Sequence, residues 1–91
     1  IYSHEELTEI LSNKSFSAYS IDSRHVESGA LFFAFKGMKA DGHDFLSEVA
    51  ARGGAAAVVS SDYKGDSHGL SLYRTQSPKQ VLQLMARLKL E

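Results

Sequence analysis

The residues of this chain best equipped for chemistry crowd into one stretch, Asp22 to Phe45, which reads DSRHVESGALFFAFKGMKADGHDF. Three kinds of chemistry come into question. Asp41, His43 and Asp44 have the donor types of a metal site, but adjacent residues in a turn rarely aim at one point, and no second cluster supplies the remaining ligands. Asp22, Ser23 and His25 have the residue types of a hydrolytic triad. Triad members converge from separate segments, however, and near neighbours on one extended stretch do not reach that geometry. His4 and His68 lie in polar surroundings and read as solvated surface residues. The third possibility is an anion or nucleotide site. Lys36-Gly37-Met38-Lys39-Ala40-Asp41-Gly42 places two lysines and two glycines directly after an apolar run. Glycine lets backbone N–H groups approach a phosphate oxygen, and lysine adds a point charge. A solvated basic turn accounts for the same residues. The sequence contains neither G-x-x-x-x-G-K-S/T nor G-x-G-x-x-G, so it spells neither an ATP phosphate loop nor a dinucleotide fingerprint.

Such a loop is useful only if rigid elements hold it. LFFAF, residues 31–35, is apolar on both faces, which predicts an interior strand covered on both sides, with the loop at its carboxyl end. Upstream, Ser3 with Glu6 three residues later predicts a capped helix start, followed by Leu7, Ile10 and Leu11 on one face. FSAYSI, residues 16–21, has a mixed alternation that gives weaker support to a strand. Downstream, Phe45, Leu46, Val49 and Ala50 are helically spaced, with Asp44 expected as the N-cap and Gly53 as the stop. AAAVVS then predicts a second buried strand, parallel to the first through a crossover helix. SDYKGDSHG reads as a surface loop, and LSLYR as a further strand. The last segment predicts a helix with Ser77 as N-cap, Pro78 first, and Val81, Leu84, Met85 and Leu88 on one face. The expected fold is a three-layer α/β domain with a mixed, largely parallel sheet flanked by helices.

Composition narrows the partners. At 91 residues the chain is a single domain spanning 1–91, too small for a two-domain enzyme with a deep interdomain cleft. Ten Lys and Arg against 11 Asp and Glu leave a formal charge of −1, without the broad basic footprint of a nucleic-acid binder. The absence of cysteine removes disulfides and thiolate metal sites and fits a reducing, cytoplasmic setting. No run approaches a membrane span, and the N-terminus lacks the layout of a signal peptide. The opening at Ile1 and the helical pattern at Leu90-Glu91 read as an excised piece of a longer protein.

The ordered words Asp22-Ser23-Arg24, Gly29 to Gly37, Asp41-Gly42-His43-Asp44-Phe45 and Gly53 to Val59 resemble the N-terminal domain of the Mur ligases. The resemblance implies a cytoplasmic enzyme of peptidoglycan precursor synthesis. Such a ligase activates the carboxylate of a UDP-N-acetylmuramoyl-peptide with ATP, and an amine then attacks the acyl phosphate. It also implies that this domain binds the UDP-muramoyl end, while the enzyme's own central and C-terminal domains, absent here, supply ATP, magnesium and the incoming amine. The chain alone then carries no catalytic residue and holds no cofactor or metal. By family position the UDP contacts fall on Ile21 and Ser23, and on Met38, Lys39 and Ala40 between Gly37 and Asp41. Arg24, Asp41 and Gly42 belong to the same candidate site, with an equally good structural reading as a charge-assisted bond and a tight turn fixing the two loops together. In its wording the chain is more similar to the ligase that adds D-alanyl-D-alanine to the tripeptide than to its sister adding the third residue, meso-diaminopimelate or lysine. A non-catalytic nucleotide-binding module is the rival from another class.

Overall fold

The computed structural model describes residues 2–14, 16–35 and 41–90. Helix α1 spans His4–Ser12, and one of its first free amides is met by the predicted cap: Ser3 Oγ accepts from the Glu6 N–H at 3.1 Å. Strand β1 is Tyr19–Ser20, β2 is Leu31–Phe33, β3 is Ala56–Ser60 and β4 is Ser71–Thr75. Helix α2, Leu46–Ala51, lies between β2 and β3, and α3, Pro78–Leu90, closes the chain. The four strands pair in the order β1-β2-β3-β4, and every described pairing is parallel. The antiparallel member that a mixed sheet allows is not among the described strands.

Alternation along the central strands assigns the two faces. Phe32, Ala57 and Val59 point to one side, where they pack with Leu46 and Val49 of α2 and with Val26. Leu31, Phe33, Ala56 and Val58 point to the other, against Leu7 and Leu11 of α1 and Val81 and Met85 of α3. Leu31–Phe33 of the apolar run thus form an interior strand between two helical layers, as expected, and the strand ends before Ala34 and Phe35. Complete burial of side chains such as Leu31 and Phe33 contributes roughly 1.5–3 kcal/mol each.

The ends of α2 and α3 fix how the loops leave. Gly53 adopts φ +89°, a left-handed value that favours glycine, and the Gly54 N–H returns to the Val49 carbonyl at 2.9 Å, ending α2 where the sequence predicts. Ser77 Oγ accepts from the Gln80 N–H at 3.3 Å with Pro78 in the first turn. Two expectations shift. Of residues 16–21 only Tyr19–Ser20 forms a strand, because the chain turns at Asp22 into a 3-10 turn, Ser23–His25. Asp44 does not cap α2: a second 3-10 turn, Gly42–Phe45, comes first, and Asp41 caps it by accepting from the His43 N–H at 3.0 Å. Phe45 then precedes α2 with no side-chain cap.

Candidate functional site

All-parallel pairing puts every strand's carboxyl end on one edge of the sheet, where ligands of open α/β sheets gather. Two cavities open there. One, of about 660 Å³, sits beyond β1 and β2 and is lined by Ile21, Ser23, Arg24, Gly42, Phe45 and Glu48, with Phe32 at its base. The other, of about 850 Å³, lies beyond β2, β3 and β4, where His43, Tyr63, Lys64 and Lys79 contribute. Ile21 and Phe35 border both.

The first cavity collects most of the described candidate residues. Ile21, directly after β1, is 60% exposed, and Phe45 is 38% exposed; both are large apolar side chains left open to solvent at one cleft. Ser23 is 6% exposed, and its hydroxyl donates to Glu48 Oε2 at 3.1 Å. Glu48 Oε1 in turn accepts from Arg52 Nε at 3.3 Å and Nη2 at 3.2 Å, one helical turn further along α2. This chain of bonds straps the first 3-10 turn to α2.

Arg24 works closer to home. Its Nε and Nη2 donate to the two oxygens of Asp22 at 3.1 and 2.9 Å, and its backbone N–H donates to Asp22 Oδ1 at 2.9 Å. The guanidinium beside Asp22 lowers that carboxyl to a pKa of about 2, and the carboxylate raises the arginine in return. The charge-assisted bond expected between the two loops is therefore made within one loop, because Asp22 is already held within reach by the turn that it caps.

His43 is the buried member of the neighbouring turn. Its Nδ1 meets Asp41 Oδ1 at 2.5 Å, while Nε2 accepts the Ser60 backbone N–H at 2.9 Å. An amide donor requires the lone pair on Nε2, so the proton is on Nδ1 and both nitrogens are engaged. The ring also stacks on Tyr63, centroids 5.1 Å apart. His43 is thus a strut between the Gly42–Phe45 turn and the end of β3, with both ring nitrogens engaged. Among the described residues no three acidic, cysteine or imidazole side chains come together for a metal ion. His25 lies 3.9 Å from Asp22 while Ser23 turns to Glu48, so the triad types stay apart.

Gly42 has a steric duty as well as a place at the cavity. A Cβ there would lie 2.8 Å from Phe35 N and 3.1 Å from Phe35 O, and the Gly42 N–H donates to Phe35 O at 2.6 Å. Phe35 and Gly42 are thereby pinned together at the two ends of segment 36–41. Asp41 borders the second cavity rather than the first. Gly37, Met38, Lys39 and Ala40 lie outside the described residues. The sequence reading missed Glu48 and Phe45; Phe45 stood in a recognised motif, but nothing local links Glu48 to a serine 25 positions earlier.

A family model described as the Mur ligase family, catalytic domain, matches residues 15–88. The chain is 54% identical over 47 residues to the UDP-N-acetylmuramoyl-L-alanyl-D-glutamate--2,6-diaminopimelate ligase of Geobacillus kaustophilus, covering 52% of this chain and 10% of that one. It is 43% identical over 67 residues to the ligase of the same name from Geobacter sulfurreducens, covering 74% and 13%. Among solved structures, the MurF ligase of Thermotoga maritima in complex with ADP superposes with a TM-score of 0.67 at 30% identity, covering 80% of this chain and 16% of that one. The D-alanyl-D-alanyl ligase of Acinetobacter baumannii gives 0.63 at 27% identity, covering 77% and 15%. The chain thus spans between 10% and 16% of the length of these four relatives.

Proposed function

This chain belongs to the Mur ligase family, and from that premise we propose that it is the UDP-N-acetylmuramoyl-peptide recognition domain of an ATP-dependent amide ligase of cytoplasmic peptidoglycan precursor synthesis. The observation that carries the proposal is the convergence of Ile21, Ser23 and Gly42 with exposed Phe45 on one cleft at the carboxyl edge of a parallel sheet. An apolar wall with a few fixed polar groups suits a nucleoside. Gly37, Met38, Lys39 and Ala40 complete the proposed site by position in the sequence, with Lys39 as a cation for the diphosphate. Ile21, Ser23 and Phe45 orient the nucleotide end and keep it from water; the reacting carboxylate lies at the far end of the substrate.

ATP and magnesium belong to the rest of the enzyme. No phosphate loop is spelled in this sequence, and the described side chains do not gather into a metal site. The chain on its own then binds substrate and makes no bond. Its partners are the substrate and the enzyme's own central and C-terminal domains, with no nucleic acid and no membrane. Among the described residues no helix is long and apolar enough to cross a bilayer.

Two amine substrates are in play. The names of the curated relatives, at 54% and 43% identity, favour the ligase that adds diaminopimelate as the third residue. The named structural relatives, at 27% and 30% identity, favour the D-alanyl-D-alanine ligase that the sequence wording suggested. Full-length enzyme incubated with ATP distinguishes them by phosphate release. Release with the UDP-muramoyl-dipeptide plus diaminopimelate or lysine supports the first, release with the tripeptide plus D-alanyl-D-alanine the second, and release with none of these contradicts the ligase reading.

A further inference from the structure

We infer that Glu48 sets the polarity of the nucleotide cleft: it commits the Ser23 proton, so that Ser23 meets a hydrogen-bond donor of the nucleoside rather than a phosphate oxygen. The inference rests on the nucleotide reading above and goes further by saying which part of the ligand this cleft takes.

A serine hydroxyl has one proton and two lone pairs, whereas a carboxylate only accepts. With Ser23 Oγ 3.1 Å from Glu48 Oε2, the single proton points at the carboxylate. What remains for a ligand is a lone pair. Arg52 holds Glu48 through Oε1, leaving Oε2 to the serine. Ser23 is almost fully buried, and reorienting its proton would forfeit this charge-assisted bond to Glu48.

The charge around the cleft agrees. Its described lining contains two carboxylates, Asp22 and Glu48, against one guanidinium, Arg24, which Asp22 already engages in a two-pronged bond. A phosphate at Ser23 would meet a carboxylate directly behind the serine. The same cleft offers a planar base what it needs: Ile21 and Phe45, two of the three large apolar side chains that stand exposed on the described chain, together with Phe32 and Phe35. The donor facing Ser23 is then the imide N–H of uracil or the ribose 2′-hydroxyl. Glu48 is a positioning residue that acts through Ser23.

Titrations of the chain, wild type and Glu48→Gln, with UDP, CDP, 2′-deoxy-UDP and inorganic pyrophosphate test this, read as dissociation constants and as the amide shift of Ser23. CDP replaces the imide donor by an acceptor, and 2′-deoxy-UDP removes a ribose donor. The wild type is expected to lose about fivefold or more on one of these two, the loss of one hydrogen bond. Pyrophosphate is expected to leave Ser23 unshifted. In Glu48→Gln the amide can donate to Ser23 and free its proton, so the discrimination shrinks; unchanged core methyl shifts verify the fold of the variant. Tighter UDP binding by Glu48→Gln, a pyrophosphate shift at Ser23, or equal affinity for all three nucleotides overturns the inference while leaving the nucleotide reading intact. Absence of any UDP binding overturns both.

Discussion

Asp22-Ser23-Arg24 and Asp41-Gly42-His43 are built to one plan. In each, an aspartate heads a 3-10 turn, accepts the amide N–H two residues on, and holds the basic side chain of that same residue. Their surroundings differ. The Arg24 side chain is 74% exposed and that of His43 only 7%. Water competes for the first pair, so it shapes a loop rim and adds little to stability. The second is sealed under Tyr63 and joined to the Ser60 amide, so its loss would strand a buried donor. The same three-residue device therefore serves as a rim in one place and as a strut in the other, and burial decides which.

Substitutions in the two turns should separate strut from rim. His43→Ala removes the acceptor of the Ser60 N–H and the ring under Tyr63, and should destabilise the domain by roughly 3 kcal/mol. For a chain of this size that lowers the thermal midpoint by on the order of 15 °C, measurable by circular dichroism; a drop of a few degrees would contradict the strut. Gly42→Ala drives a Cβ to 2.8 Å from Phe35 N, a backbone atom that cannot swing aside. A loss of about 2 kcal/mol in denaturant unfolding is expected.

Ser23→Ala acts on binding more than on folding. Affinity for UDP should fall by about 1 kcal/mol, one hydrogen bond, with a smaller change in midpoint, as calorimetry and a parallel melt would read. Unaltered affinity would reduce Ser23 to scaffold. Arg24→Ala should leave thermal stability at neutral pH within error. Its signature is in the titration of Asp22: the folded carboxyl, near 2 with arginine beside it, returns toward the ordinary 3.8. A carboxyl lowered on folding stabilises above its unfolded pKa and loses that contribution as pH falls through the folded value. The wild type therefore holds this small increment above about pH 4 and loses it toward pH 2. Carboxyl carbon shifts followed between those limits measure it directly.

Much of the scaffold was legible because its signals are local. Ser3 and Ser77-Pro78 announce helix starts, Gly53 a stop, and the two-sided apolar run an interior strand, since each reports geometry within a few residues. The α2 cap was misplaced for the same reason: aspartates stand at 41 and 44, and only the intervening 3-10 turn decides between them. Of the candidate cleft, Ile21, Ser23 and Gly42 stand in the motif wording. Its working partners do not. Ser23 finds Glu48 and His43 finds Ser60 across packed elements, 25 and 17 positions away, and no local spacing encodes that encounter. The difference between rim and strut was hidden likewise, because it depends on what covers each turn.

The cleft between the first 3-10 turn and α2 is the proposed seat of the nucleotide. Amide chemical-shift mapping of the chain during a UDP titration tests it most directly. Saturable shifts are expected at Ile21, Ser23, Gly42, Phe45 and Glu48. Shifts confined to the His43, Lys64 and Lys79 side of the sheet edge, with Ser23 and Glu48 unmoved at saturation, would contradict it.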